Sequence, residues 1–251
     1  MISYDHPLNE RVRTMLRLED LFARADFFTL QSHALDHHTA LLSLFEILEV
    51  SSRADLKSDL LQELERQKQV LETLRNNPAI SEQALDDILS DIGQTASRLH
   101  ELSGKLGQHI RDNEWLMSIK QRTTIPGGVC EFDLPSYHFW LSQDEDRRRQ
   151  ELREWLAPLL PINDGLRLVL KLLRDSGKTT RHTTAHGVFQ QMLAGRVAQM
   201  IRVTMLSDLP CFPEISANKY AINIRFTTLG GTQKPRVCES DVEFDLTLCN
   251  F

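Results

Sequence analysis

Hydrophobic positions over the first two thirds of the chain recur every three to four residues, the spacing of helices that bury one face. They predict long helices at 8–21, 36–50, 53–75 and 81–102, and further helical stretches at 110–122, 136–141, 149–159 and 162–174. Asn77 and Pro78 lie between the third and fourth helices, and the proline ends helical continuation. We therefore expect these two helices to form a long antiparallel hairpin.

Past Gly177 the leucine periodicity gives way to alternating and β-branched residues, a pattern typical of strands. The pattern predicts strands at 185–192, 197–206, 219–229 and 237–249, with Gly230-Gly231 turning the chain between the last two. Two earlier segments, 1–6 and 128–134, also alternate and can add strands to the same sheet. We expect an α+β protein with a mainly α-helical domain at 1–178 and an antiparallel β-strand domain at 179–251.

Composition favours a folded chain, because 41% of the residues are hydrophobic and 25% are charged. No stretch has the roughly 20 apolar residues that span a membrane, and the first residues lack the apolar core of a signal peptide. We therefore expect a cytoplasmic protein that does not bind membrane.

The net charge of −6 is unevenly placed along the sequence. Residues up to Thr179 carry 22 Lys and Arg against 29 Asp and Glu, whereas the rest carry 7 against 6. General nucleic-acid binding needs many clustered cations, so this distribution disfavours it. A site for an acidic partner would have to be a local patch.

The string Ser176-Gly177-Lys178-Thr179 resembles the end of a phosphate-binding loop. That motif also needs glycine at position 172, where this chain has Leu172 in a predicted helix. We therefore interpret the string as a solvated linker between the two domains.

Histidines suggest a metal site that the sequence does not complete. Asp36-His37-His38 lacks the further acidic and histidine ligands of a phosphoesterase centre. His33 and His37 share a helix face, yet no third ligand accompanies them. We expect exposed polar residues at a helix start, and neither a metal nor another cofactor.

Four cysteines, at 130, 211, 238 and 249, are widely spaced and form no CxxC pair, which favours reduced and mostly buried thiols. Cys130 and His138 are a candidate nucleophile and base, but a buried thiol beside a surface histidine is the commoner arrangement. No nucleophile-elbow or dinucleotide motif is present. We therefore expect no enzymatic activity.

Short strings throughout the chain resemble those of the ZapD family of cell-division proteins. They occur in order at 6–11 (HPLNER), 14–19 (TMLRLE), 60–67 (LLQELERQ), Gln121-Arg122, 125–128 (IPGG), 132–135 (FDLP), His138 with Trp140-Leu141, 213–216 (PEIS) and 224–226 (IRF). The resemblance implies a homodimer that binds the C-terminal tail of the tubulin-like GTPase FtsZ. Two tail sites per dimer would then crosslink and bundle filaments in the Z-ring at mid-cell.

A short acidic tail with a terminal carboxylate needs apolar anchors and forked cations. Arg225 meets this requirement, because a strand would bury Ile224 and Phe226 on one face and leave the arginine on the other. We expect Lys219 on the same face and Arg202 on an adjacent strand. The resemblance adds a second basic surface, whose expected residues are Arg13, Arg17, Arg122 and His138.

The chain departs from the family pattern at several positions where basic residues or glycine are expected. Glu114 replaces a basic residue, and Ala217, Asn218 and Ala221 replace glycine, histidine and arginine beside Lys219. Two other classes stay open from the residues alone. One is a cysteine-dependent hydrolase, and the other is a phosphate or nucleic-acid binder that uses the arginines of the first helix.

Overall fold

Helices fill most of the first 175 residues in a computed structural model that describes residues 1–52, 55–75, 77–78, 80–218, 220–230 and 234–251. Their bounds are α1 Glu10–Leu30, α2 Ala34–Ser51, α3 Leu56–Glu72, α4 Glu82–Glu101, α5 Gln108–Arg111, α6 Glu114–Thr123, α7 Pro135–Leu141, α8 Glu145–Leu156 and α9 Leu160–Asp175. A 3₁₀ turn, Ala157–Leu159, lies between α8 and α9. Each predicted helical stretch overlaps one of these helices.

Polar residues at the helix starts fix where several helices begin. The side chains of Asp55, Ser81, Asn113 and Asp144 each accept a hydrogen bond from a backbone N–H in the first turn of the following helix. These N–H groups have no partner inside the helix, so the caps satisfy donors that would otherwise be lost.

The chain divides into two compact units, one made of Arg17–Val169 and the other of Met1–Leu16 together with Leu170–Phe251. Within the first, helical unit, α3 and α4 pack as an antiparallel pair. Lys57 Nζ at the start of α3 donates to the carbonyl oxygen of Leu102 just past α4, at 2.6 Å. At the other end, Arg75 forms an ion pair with Asp86 at 2.9 Å. The predicted helical hairpin is therefore confirmed.

The second unit, the β unit, contains two antiparallel sheets. The first has the strand order β1-β4-β8-β2, and the second has the order β3-β6-β5 with β7 also paired to β6. The strands are β1 Ile2–Pro7, β2 Lys178–Thr183, β3 Val188–Met192, β4 Met200–Met205, β5 Phe212–Ala217, β6 Ala221–Thr228, β7 Arg236–Val237 and β8 Glu243–Cys249. Helices followed by antiparallel sheets confirm the predicted α+β class.

Alternate residues of these strands meet in one apolar core between the two sheets. Phe226 of β6 and Phe244 of β8 have ring centroids 5.0 Å apart, and Phe189 of β3 meets Phe244 edge-on at 5.2 Å. Because each sheet buries one face against this core, the residues that alternate with the buried ones along each strand lie on the outer faces.

Three local expectations differ from the structure. Residues 128–134 form turns instead of a strand, because the Cys130 carbonyl accepts the N–H groups of Asp133 and Leu134 and satisfies them locally. The supposed linker at 176–180 contains the start of β2, which pairs with β8. Strand β5 was not predicted, and its Pro213 is compatible with a strand at the sheet edge. Gly231 of the expected Gly-Gly turn lies outside the described residues.

Candidate functional site

Arg225 lies in the middle of β6 on the outer face of its sheet. Its side chain is exposed, whereas Ile224 and Phe226 are fully buried on the inner face. The alternation expected from the sequence is confirmed. Within the described part of the chain, the Arg225 guanidinium has no ion pair or side-chain hydrogen bond.

Apolar side chains surround Arg225 on the same outer face. Val188 of β3 is its register partner, and Met192 lies at the other end of that strand opposite Ala221. Both are half or more exposed, at 50% and 64%. On the other side Glu214 of β5 pairs with Arg225 in register, but its carboxylate accepts a hydrogen bond from Thr227 at 3.1 Å. Among the described residues of this face, Arg225 therefore has no ion pair, and it shares the face with the apolar Val188 and Met192 and with the carboxylate of Glu214.

Two other basic residues were expected beside Arg225, and neither is placed there by the described part of the structure. Lys219 lies outside the described residues. Arg202 was expected on a strand adjacent to this face, and that placement is wrong because β4 belongs to the other sheet. Its guanidinium is engaged by Asp5 of β1, with Nε–Oδ1 and Nη2–Oδ2 distances of 2.7 and 2.9 Å.

Asp5 also forms an ion pair with Arg174 of α9, at 3.1 Å. Burial by itself raises the pKa of the Asp5 carboxyl, but the hydrogen bonds and charges of Arg202 and Arg174 outweigh it, so the pKa is lowered. The carboxylate therefore stays ionised and holds both arginines. This arrangement gives Arg202 a structural role in the sheet.

Arg17 lies on a different surface, in a groove of the helical unit lined by α1, α2 and α6. The groove has a volume of about 580 Å³ and an apolar floor that includes Leu42 and Phe45. Arg17 is exposed, and among the described residues it forms no ion pair. Lys120, which sequence reasoning did not single out, faces the same groove and pairs with Glu49 at 2.5 Å.

The remaining basic candidates are each close to a carboxylate. Arg13 of α1 pairs with Glu10 at 3.0 Å. Arg122 at the end of α6 reaches Asp133 at 3.5 Å, and His138 of α7 lies 3.7 Å from Glu131. Arg122 and His138 are exposed. These long, exposed pairs leave both groups accessible to a partner.

The geometry supports neither the cysteine-dependent hydrolase nor the phosphate-binding loop. Cys130, expected to be buried, is exposed in the turn after Gly128, because that segment forms no strand to cover it. No hydrogen bond joins it to His138 among the described residues. Lys178 and Thr179, of the loop-like string, lie in β2 instead of at the start of a helix. A phosphate loop needs backbone N–H groups that converge, which a paired strand does not provide.

The expectation of exposed histidines at the start of α2 is wrong for His37, which is fully buried. Its Nδ1 accepts from Arg148 Nε at 2.9 Å, and its Nε2 lies 2.8 Å from the Gln31 carbonyl oxygen. His33 is exposed and caps the helix by accepting from the Leu35 N–H. In the part of the chain that the structure describes, no three His, Cys, Asp or Glu residues form a metal-ligand cluster.

Comparison with known proteins agrees with the strings found along the chain. The model of the family described as ZapD, cell division protein, matches residues 16–225. "Cell division protein ZapD" of Dechloromonas aromatica is 57% identical over 251 residues, covering all of both chains. The proteins of the same name from Azoarcus sp. and Nitrosomonas europaea are 55% and 51% identical, with 99% and 100% of this chain and 99% and 95% of theirs covered.

The names of these relatives describe a role in cell division. Among the described residues, no helix is both long and apolar enough to cross a bilayer. Identity above 50% over the whole length, together with the family match, shows the membership directly. The chain belongs to the ZapD family of cell division proteins.

Proposed function

We propose that this protein binds the C-terminal tail of FtsZ and crosslinks FtsZ filaments in the Z-ring. The main support for this proposal is that the chain belongs to the ZapD family over its whole length. The partner follows from the family resemblance, and the charges and surfaces of this chain support where the tail would bind.

The two units carry opposite net charges, which favours the β unit for an acidic tail. The helical unit has 17 Lys and Arg against 26 Asp and Glu, a net charge of −9. The β unit has 12 against 9, a net charge of +3. An acidic peptide is attracted to the β unit and repelled by the helical unit at long range.

Within the β unit we assign the tail to the outer face of the sheet around Arg225, with Lys219 as the second expected cation. A guanidinium binds a carboxylate through two parallel hydrogen bonds, and Val188 and Met192 supply apolar contacts for the tail's side chains. Arg202 supports the other sheet through Asp5 and does not belong to this site.

Arg17 would be a second contact surface, since its guanidinium is available to a carboxylate in the α1, α2 and α6 groove. Arg13, Arg122 and His138 are further proposed contacts, each near an acidic residue that a tail carboxylate would have to displace. Because Arg17, Arg122 and His138 lie in the acidic helical unit and Arg13 is paired with Glu10, we expect these residues to contribute less than Arg225.

The protein would act as a homodimer in the cytoplasm at mid-cell, without catalytic activity. One tail site in each subunit would give the dimer two sites. A bivalent dimer on a filament that displays many tails gains avidity, so modest affinity at each site is sufficient for bundling.

The test combines a synthetic peptide of the FtsZ C-terminal tail with sedimentation of FtsZ filaments. The wild-type protein should bind the peptide in fluorescence anisotropy and increase the pelleted filament fraction at low speed. Arg225→Glu should weaken peptide binding at least about tenfold, because it replaces a bidentate partner with a repelling charge.

Arg196→Glu is the matched control, since Arg196 is also exposed in the β unit and undergoes the same change of charge. It should bind the peptide as the wild type does, and circular dichroism should show that both variants are folded. Wild-type protein that neither binds the tail nor bundles filaments would contradict the function. Unchanged binding by Arg225→Glu would contradict the assigned site only.

A further inference from the structure

All three tryptophans of the chain meet in one aromatic cluster of the helical unit. Trp115 comes from α6, Trp140 from α7 and Trp155 from α8. The centroid of Trp115 lies 6.0 Å from that of Trp140 and 5.8 Å from that of Trp155, and the last two lie 5.9 Å apart. A cluster of this kind is an ordinary core feature when it is sealed from solvent.

This cluster is not sealed. It lines a groove of about 500 Å³ on the surface of the helical unit. Trp140 is buried, but Trp115 and Trp155 are partly exposed, and Phe139 on the groove rim is 64% exposed. The groove therefore presents aromatic side chains to solvent, and the faces of such rings carry the negative part of the ring quadrupole.

The polar groups around the groove also favour a positive occupant. The indole N–H groups of Trp115 and Trp140 already donate, to Ser136 Oγ at 3.1 Å and to Glu151 Oε2 at 2.6 Å. They are therefore not available to an anionic ligand. The other polar side chains that line the groove include the carboxylates of Glu151 and Glu154.

The charges of the groove are unbalanced towards negative. Arg147 is held by Glu151 Oε1 at 3.2 Å and by Gln143 Oε1 at 3.3 Å, which neutralises Glu151. The second carboxylate, Glu154, is exposed and accepts a hydrogen bond from the neutral amide of Gln150. Among the described residues Glu154 therefore has no cationic partner, and it lies beside partly exposed tryptophans in a unit whose net charge is −9.

We propose that this groove binds an arginine side chain of a partner protein. A guanidinium group is weakly hydrated, and its plane can stack on an indole face. It also forms two parallel hydrogen bonds with one carboxylate. An arginine could therefore contact the tryptophan rings and the Glu154 carboxylate at the same time. An acidic peptide would instead be repelled by the Glu154 carboxylate. The surface is separate from the proposed tail site, which lies in the β unit.

The experiment uses the full-length protein and two short probes, acetyl-Gly-Arg-Gly-amide and the same peptide with citrulline. Citrulline has the shape of arginine without its charge. Because every tryptophan lines the groove, intrinsic fluorescence and the indole N–H signals in NMR spectra report on this site alone. The arginine peptide should give a saturable change, with affinity at least about fivefold above that of the citrulline peptide.

Glu154→Gln removes the uncompensated charge and leaves the indole hydrogen bonds in place, so it should weaken arginine binding by about fivefold. Glu101→Gln, at the exposed end of α4, is the charge-matched control and should bind as the wild type does. Three results would overturn the proposal: no saturable change, equal affinity for the citrulline peptide, or unaltered binding by Glu154→Gln. None of them bears on the tail site.

Discussion

A buried histidine shows how single side chains organise the helical unit. His37 can accept from Arg148 only through an unprotonated Nδ1, so its Nε2 carries the proton that is donated to the Gln31 carbonyl oxygen. Arg148 in turn donates to the Ser32 carbonyl oxygen at 2.8 Å and to the Leu141 carbonyl oxygen at 3.0 Å. This pair therefore connects the start of α2 to the residues that flank α7 and α8.

The same geometry predicts a loss of stability on mild acidification. Burial of the ring, aided by the charge of Arg148, lowers the pKa of His37, although backbone hydrogen bonds partly oppose this. As the pH falls below about 6.5, His37 therefore binds a proton in the unfolded chain before it does so in the folded chain. This part of the stability is fully present above that pH and is lost as the pH falls from there through the lower pKa of the folded chain.

Urea unfolding at pH 7.5 and pH 5.5 measures the effect. His37→Gln should cost about 1–3 kcal/mol at pH 7.5, because a buried hydrogen-bond partner is replaced. The same variant should lose less on going to pH 5.5 than the wild type does. His100→Gln, at an exposed position of α4, should keep the wild-type pH dependence. An unchanged pH dependence in His37→Gln would refute the argument.

Part of this arrangement could have been found in the sequence. His37 is followed by Leu41, Leu44 and Leu48 at helical spacing, so the buried face of α2 extends back to the histidine. Its partner could not be found in the same way, because Arg148 is 111 residues away and only the packing of α8 against α2 brings the two together. The outward placement of Arg225 needed only the alternation of one strand, and it was predicted correctly.

At the scale of elements, strand β2 explains why the Gly-Lys-Thr string is not a phosphate loop. Gly177 lies just before this strand at a close approach of the backbone to β8. A Cβ atom there would lie 2.3 Å from Thr247 Cγ2 and 3.1 Å from the Arg174 carbonyl oxygen. The glycine is therefore required by packing where α9 passes into the sheet.

Gly177→Ala should consequently destabilise the protein by about 2 kcal/mol, since the clash involves backbone and a packed methyl group. That loss corresponds to a fall in Tm of about 4–8 °C for a chain of this size. Gly93→Ala is the matched control, because a Cβ at that position of α4 meets nothing within 4 Å. It should leave stability unchanged or raise it by about 0.5–1 kcal/mol. Equal Tm values for the two variants would refute the packing role.

The helices were predicted more completely than the strands because their signal is local. Strand β2 is exposed along most of its length and polar on both faces, so it shows no alternation. Its structure comes from pairing with β8, in which Lys178 lies opposite Leu248. Strand β5 carries Pro213, which usually argues against a central strand and is tolerated here at a sheet edge.

For the whole molecule, the separation of charge between the units suggests that the two surfaces recruit chemically different partners. The β unit, with a net charge of +3, suits the acidic tail, whereas the helical unit, at −9, suits a basic segment. Both attractions act between exposed charges and should weaken as ionic strength rises.

The proposed bundling by a dimer with one tail site per subunit predicts how mixed dimers would behave. When wild-type and Arg225→Glu subunits are co-expressed in equal amounts and assort at random, about a quarter of the dimers have two intact sites. The half with one site still bind a filament but cannot join it to another. Filament pelleting should therefore fall towards about a quarter of the wild-type value, whereas tail-peptide binding should fall only to about half.

The comparison between these two readouts separates a dimeric crosslinker from other arrangements. If an undimerised subunit carried two sites of its own, pelleting and peptide binding would fall together to about half. Co-expression with Arg196→Glu controls for the change in charge and should leave both readouts at the wild-type level. Because the prediction compares two measurements on one sample, it does not depend on the absolute affinity of the tail. Parallel losses would contradict crosslinking by a dimer with one site in each subunit.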